Sequence, residues 1–504
     1  MPDKVSVGID DIAVYIPKLW IDARDFSEDR GIPLGKLHKG LGVYEWAVPD
    51  SYEDPATMGA MAVLELMERN DIKPSEISYI ETATESSKEA SKSMSSYMIE
   101  MLEMLYGDGS FAHVGAPERK FACVAGTYSL IDRMAYIASG WRPKRKYHIM
   151  VATDIAKYAL RGEGEETQGA AAAAVLISKN PRLMKFEPES LGYATRPDKD
   201  FFKPESGEIP IVDGHVSMGC YLRDCKIAIV ESVESMLENE LIVLSEGETI
   251  LDYLDGGIAY HTPFSRMPEY AYASIKIHFA RNTPQWKKIV EKIGPEPSRE
   301  GMTDFEYYMS KEYNDYRRAL VKLPEFQEEF MKKVGPSLAA SRRVGNSYTA
   351  SLYVCLDSLF ENSEEDLAGK RIGIESYGSG SSAITASFIV QPEYKEVVKK
   401  MTLMKKLDSR TEKTKLPMES YVNAMLTRKF GKSRFERLKK RVGNLIGKFV
   451  KKYANDVTIP PYEALHRGEL HYPDTILEPH QEFALVNIGT DVNDWGYRYY
   501  DWIE

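Results

Sequence analysis

Cysteine is scarce in this chain: four residues in 504, Cys123, Cys220, Cys225 and Cys355, with no Cys-x-x-Cys pair among them. A long chain so poor in cysteine reads as reduced and intracellular rather than disulfide-stapled. Also missing is any uninterrupted apolar run of the roughly 18 residues that a membrane helix needs. The opening stretch, up to Pro17, alternates like a strand and has neither an apolar signal core nor an Arg/Ser-rich transit pattern. These absences make the cytoplasm the expected location. Positive charge is not in excess either: the net charge of -11 argues for solubility and against a global nucleic-acid role. No repeat of short fixed period is visible, which argues against a solenoid or propeller.

What is present is an alternation of extended and helical segments over most of the first 390 residues. Strands are expected at Val5–Ile16, Ile77–Thr84, Tyr147–Thr153, Ala170–Ile177, Gly256–His261, Lys370–Ser376 and Ile384–Val390. Between them the apolar spacing predicts helices at Ala56–Arg69, Met94–Tyr106, Thr127–Ser139 and about Tyr348–Phe360. Strands alternating with helices imply an α/β architecture around a largely buried sheet. The organisation we read is a first unit over 1–185, a second over 186–402 with a charged helical insertion at 286–330, and an appendage over 403–504. Within the appendage, Arg428–Lys452 holds eleven Lys/Arg against the single Glu436, with apolar residues at helical spacing. Such a basic amphipathic helix either meets a membrane or anionic partner or packs by its apolar face.

Three positions carry candidate chemistry. Cys123 falls between an extended stretch and the helix expected at Thr127–Ser139, which Gly140 would stop. A thiol near a helix N-terminus meets unpaired N–H groups and the positive end of the dipole, so its thiolate is expected to be favoured. Cys123 is thus either a nucleophile or a small core residue. Glu85 lies just past the end of a strand, where a carboxylate serves acid/base chemistry or simply faces solvent. His261 ends another strand and is either a donor or base toward a carbonyl or a structural histidine. Together they supply a nucleophile, a proton abstractor and an oxyanion stabiliser, the roles that covalent carbon–carbon condensation requires. The run Gly378-Ser-Gly380-Ser-Ser-Ala383 also fits a dinucleotide fingerprint, but the residues after it, from Ile384, read as a strand where that fold needs a helix.

These positions sit in a longer series of motifs. Ala122-Cys123 with Thr127, Thr84-Glu85 and Tyr260-His261-Thr262-Pro263 are joined by the segments 152–158, 167–170, 200–204, 210–214, 345–353 and 368–380. In this order they resemble the 3-hydroxy-3-methylglutaryl-CoA synthases, and the stretch Phe483–Tyr500 is similar to that family's C-terminal end. The resemblance implies a thiolase-like fold of two related layered halves, paired into a homodimer. It implies acetyl-CoA and acetoacetyl-CoA as substrates, an acetyl group carried on Cys123, and no metal or redox cofactor. Glu85 would remove the methyl proton and His261 would polarise the acceptor ketone. Asp154 and Asp200 match acidic positions that support the site, and Asn346 with the Ser376–Gly380 turn would line the acyl pocket. By the same carry-over Thr127, Asp154, Tyr158, Asp200, Arg266, Asn346, Tyr377 and Ser379 are its expected substrate-binding residues. Departures occur at Phe121, Val124 and Lys199, and Tyr270 stands where the family tends to place a second CoA-contacting lysine, Arg266 serving for the first. Two other readings stay open: a relative that acts on a carrier-protein-bound β-ketoacyl group in polyketide β-branching, and a non-catalytic scaffold that passes acyl-CoA between partner enzymes.

Overall fold

The computed structural model describes residues 5–87, 90–141, 145–204, 209–422, 481–488 and 498–503. The expected basic helix at 428–452 lies outside the described residues. At the centre is a nine-stranded mixed sheet. Its strands in chain order are β1 (Val7–Tyr15), β2 (Ile77–Ala83), β3 (Glu118–Arg119), β4 (Tyr147–Ile155), β5 (Ala170–Lys179), β6 (Met184–Thr195), β7 (Gly257–Tyr260), β8 (Arg371–Gly378) and β9 (Ser382–Val390). In space they run β7-β8-β9-β6-β1-β5-β4-β2-β3.

Outward from the β1/β6 contact, the two directions match. β1 pairs antiparallel with β5, β5 antiparallel with β4, and β4 parallel with β2. On the other side β6 pairs antiparallel with β9, β9 antiparallel with β8, and β8 parallel with β7. The halves join through Gly8 opposite Lys185 and Ile9 opposite Met184. Gly8 is required there, because a Cβ would lie 2.2 Å from the Met184 carbonyl oxygen.

Helices fill the layers around this sheet: α1 (Pro55–Arg69), α2 (Met94–Tyr106), α3 (Ala125–Ala138), α4 (Gly214–Glu238), α5 (Met267–Ala280) and α6 (Ser351–Asn362). The buried residues of α3 and α6 share one core with β1, β5, β6, β8 and β9, between the two halves of the sheet. On the outer face of the first half, α1 and α2 pack on β2, β4 and β5. On the outer face of the second half, α4 and α5 pack on β7 and β8 together with the helices of the 284–333 segment. Local chemistry accounts for the starts of these helices. Asp54 caps α1, accepting from the backbone N–H groups of Ala56 and Thr57 at 2.9 Å each, and Pro55 takes the first position. Ser93 caps α2, and Gly140, with φ 78°, stands just past α3. β5 is alanine-rich and buried over nine of its ten residues, since helices press on both of its faces and only small side chains let them close in.

The charged segment expected as an insertion forms helices Pro284–Ile293, Asp304–Met309, Lys311–Val321 and Pro324–Lys333. At the C-terminal end, strands Glu482–Ile488 and Arg498–Ile503 pair antiparallel. Phe483, Leu485 and Tyr500 bury against α1 and α2. Among the described residues no helix is long and apolar enough to cross a membrane.

Candidate active site

The parallel pairs set the site. Ala83 of β2 lies opposite Ala152 of β4, so Thr84 and Glu85 leave their strand beside Asp154. In the second half Tyr260 of β7 lies opposite Glu375 of β8, so His261 leaves its strand beside Ser376 and Tyr377. Both sets stand at strand C-terminal ends. A cavity of about 390 Å³ opens between them, its lining including Cys123, Tyr158, His261, Asn346, Tyr377 and Ser379. Leu41, Phe201, Met218, Phe264 and Met267 contribute apolar lining, and Lys36, Glu163 and Glu166 add charged groups.

Cys123 sits on an elbow. Ala122 before it has φ 42°, a left-handed conformation that costs a non-glycine residue energy. Val124 after it is the N-cap of α3. The turn at Gly378 packs against the elbow so closely that a Cβ on Gly378 would fall 2.8 Å from the Val124 nitrogen. The Cys123 Sγ–H donates to Glu85 Oε1 at 2.9 Å.

The charge state of this pair departs from the sequence expectation, in which the dipole of α3 favours the thiolate. Instead burial, the Glu85 carboxylate with its hydrogen bond, and the charge of Asp154 all push the Cys123 thiol well above its ordinary value. Where Glu85 is ionised the pair is a thiol donating to a carboxylate, so the sulfur depends on Glu85 to take its proton. Glu85 is itself held above the usual carboxylate range, first by burial and then by the charge of Asp154. That makes it a stronger proton acceptor than a solvated glutamate. Lys203 Nζ donates to the Glu85 carbonyl oxygen at 2.7 Å and fixes this loop from the Phe201–Phe202 strand side.

Asp154 is fully buried and accepts hydrogen bonds on both oxygens. Oδ1 takes Thr84 Oγ1 at 2.8 Å, Glu85 N–H at 3.0 Å and Ser86 N–H at 2.9 Å. Oδ2 takes the Thr349 N–H at 3.0 Å and its hydroxyl. Asp154 therefore shapes the Glu85 loop and does not line the cavity. Asp200 plays a similar part across the site, accepting from Gly380 N–H at 3.0 Å and Tyr377 Oη at 3.4 Å.

On the second half His261 is 2 % exposed, and burial lowers its pKa to about 3, so the ring is neutral. Its Nδ1 meets Ser351 Oγ at 2.6 Å, which leaves Nε2 for the cavity. Asn346 is oriented in the same way. Its Oδ1 accepts from Tyr348 N–H at 2.9 Å, which leaves the amide NH2 as the group it can offer the cavity. Ser379 Oγ meets Ser217 Oγ at 3.2 Å on the cavity wall.

Other expected residues lie outside the cavity lining. Thr127 is 1 % exposed and bonds Ser376 Oγ at 2.8 Å beneath the wall, so with Asp154 and Asp200 it supports the site from behind. Arg266 does not face the cavity as a free cation: its guanidinium pairs with Glu269 at 3.0 and 2.6 Å, one turn along α5. Tyr270 places its ring 4.6 Å from the Arg317 guanidinium. Residues missed from sequence include Ser351, Thr349 and Lys203, whose roles come only from partners distant in the chain.

The family model described as hydroxymethylglutaryl-coenzyme A synthase N terminal matches residues 2–181, and the C-terminal model of the same name matches 193–442. The chain belongs to the hydroxymethylglutaryl-coenzyme A synthase family. A Hydroxymethylglutaryl-CoA synthase of Haloferax volcanii is 35% identical over 411 residues, covering 81% of this chain and 89% of its own. The synthase of Schizosaccharomyces pombe is 32% identical over 415 residues, covering 81% and 87%. Among solved structures, MvaS in complex with 3-hydroxy-3-methylglutaryl coenzyme A matches with a TM-score of 0.74 and 26% identity, over 99% of this chain and 100% of that one. The HMG synthase of the curacin biosynthetic pathway shares the fold, with a TM-score of 0.70 at 22% identity over 99% of this chain and 100% of that one. The fold is accordingly thiolase-like.

Proposed function

We propose that this chain condenses acetyl-CoA with acetoacetyl-CoA and water to give 3-hydroxy-3-methylglutaryl-CoA and CoA. The observation that carries the reading is the hydrogen bond from Cys123 to Glu85, with Cys123 and His261 lining one cavity. Family membership and the relatives' names support it.

In the first step Glu85 takes the thiol proton while sulfur attacks the acetyl carbonyl. CoA leaves as thiolate and recovers that proton, and Cys123 holds the acetyl thioester. Glu85, again a carboxylate, then removes a proton from the acetyl methyl. The resulting enolate carbon attacks the C3 ketone of acetoacetyl-CoA, and the new alkoxide takes the proton held by Glu85 to become the hydroxyl, which returns Glu85 to the carboxylate. His261 and Asn346 face this oxygen as neutral donors. Water finally cleaves the thioester, leaving a carboxylate on the product and the thiol on Cys123. The chain's own residues suffice for each proton transfer, and the reaction we propose uses no metal or redox cofactor. The reading extends to a cytoplasmic homodimer serving the mevalonate route.

The test uses labelled acetyl-CoA, followed by acetoacetyl-CoA or an acetoacetyl carrier protein as acceptor. We expect label on wild type and none on Cys123→Ala, then label in product with the CoA acceptor. Equal labelling of Cys123→Ala refutes the nucleophile. A strong preference for the carrier refutes the mevalonate assignment in favour of β-branching.

A further inference from the structure

His261 stabilises negative charge on an acceptor oxygen only if its cavity-facing nitrogen carries the proton. A neutral imidazole has one N–H, and which nitrogen holds it is set by the partner of the other. Here that partner is Ser351, the first residue of α6, 2 % exposed and 90 residues away in sequence.

A serine hydroxyl has one proton to give and two lone pairs to accept with. The Thr262 N–H donates to Ser351 Oγ at 3.2 Å and uses one lone pair. Among the described residues, the acceptor within reach of the Ser351 proton is His261 Nδ1, at 2.6 Å. A buried hydroxyl that left its proton unpaired would forfeit a hydrogen bond. The backbone holds the ring in place from both sides: His261 N–H donates to the Glu375 carbonyl at 2.7 Å, and Tyr221 Oη donates to the His261 carbonyl at 2.7 Å. Ser351 also stands at the positive end of a twelve-residue helix, which disfavours a second proton on the ring.

We propose that Ser351 is a positioning residue that donates to His261 Nδ1 and thereby fixes the Nε2–H tautomer, the one able to donate to the acceptor oxygen. No proton leaves Ser351 during the reaction, and its effect reaches the substrate through His261 alone. The inference rests on the function proposed above, but its first test does not depend on turnover.

In protein labelled with 15N-histidine, with the His261 signals assigned by their loss in His261→Gln, Nε2 should show the protonated-nitrogen shift and Nδ1 the unprotonated one. The reverse assignment overturns the proposal. Ser351→Ala should then lower the rate of condensation by about 10–100-fold, as loss of an orienting hydrogen bond to a reacting group does. It should leave the rate of Cys123 acetylation by acetyl-CoA within about twofold of wild type, because His261 is not needed to load the thiol. Ser351→Thr, which keeps the hydroxyl, should recover part of the loss. Equal damage to acetylation and condensation marks a merely structural serine and refutes the assignment. Should Ser351→Ala not fold, the tautomer measured in wild type decides alone. If wild type gives the predicted shifts but forms no acetyl-Cys123, the function reading fails while the hydrogen-bond assignment survives.

Discussion

Replacing Gly378 by alanine adds one methyl group at the place where the Gly378–Gly380 turn meets the Cys123 elbow. The added carbon would lie 2.8 Å from Val124 Cγ1, 2.8 Å from the Val124 nitrogen and 3.1 Å from the Phe121 carbonyl oxygen. That is roughly 0.7 Å inside the ~3.5 Å optimum for carbon contacts. Two of the three atoms belong to the backbone, so no side-chain rotation relieves the overlap. The turn and the elbow must separate, at a cost of about 1–3 kcal/mol, the range for overpacking a tight contact. The same displacement carries Cys123 away from Glu85, and a misplacement approaching 1 Å lowers a rate by about 100-fold. We therefore expect Gly378→Ala to melt at a lower temperature than wild type and to load acetyl onto Cys123 about 10–100-fold more slowly. Gly35→Ala is the control, since a Cβ there meets nothing within 4 Å and its φ of -60° suits any residue. The assays are thermal unfolding and single-turnover labelling with acetyl-CoA. A Gly378→Ala protein with wild-type melting and loading would show that the elbow does not depend on this contact.

The charges around the site give three further outcomes. In Glu85→Gln the carboxylate that raises the Cys123 thiol is gone, so the pH at which iodoacetamide alkylates Cys123 should fall, while condensation is lost; an alkylation profile that moves to higher pH contradicts the pairing. Asp154→Asn places an amide N–H against either the Thr349 N–H or the Glu85 and Ser86 N–H groups, losing a charge-assisted bond of about 1.5–3 kcal/mol. It should lower stability in denaturant titration and, by removing a negative neighbour, move the acid limb of condensation to lower pH; an upward move refutes the coupling. For His261 the folded pKa lies below the unfolded one, so the unfolded chain binds more protons between about pH 6.5 and pH 3 and stability is lost as pH falls through that window. His261→Asn lacks this contribution, and its melting temperature should fall less than that of wild type between about pH 7 and pH 5. An equal or larger fall would mean that His261 is protonated in the folded protein.

The elements were legible in sequence because local signals agree with burial. The helix spacing read at Met94–Tyr106 is matched residue for residue, and the apolar runs of β4, β5 and β9 fall within a residue or two of their bounds. Glu85 and His261 were legible as residues at or just past strand ends, and Cys123 as a residue between an extended stretch and a helix; the Ser376–Gly380 turn came from the resemblance alone, and its first three residues belong to β8. The state of Cys123 was not, because dipole reasoning knows the helix behind a thiol but not a carboxylate 38 residues away in sequence. Arg266 does carry a local signal of its pairing: Glu269 comes three residues later on a helix with Pro268 in its first turn, the spacing of an intrahelical ion pair. Ser351 offers none, since nothing in a Thr-Ala-Ser-Leu-Tyr run tells that its hydroxyl meets an imidazole from another strand.

The hydrogen bonds of Asp154 have a mechanical consequence. One oxygen holds the loop that carries Glu85 from the first half, and the other holds Thr349 from the second half, just ahead of Ser351 at the start of α6. The proton acceptor and the ketone-facing groups are thus riveted together through a single carboxylate. Any slippage of one half past the other is transmitted to both at once, so the two chemical steps keep a common alignment. Natural variation in the second half can reshape the acceptor side of the cavity, but it cannot shift Thr349 without detuning the base on the opposite half.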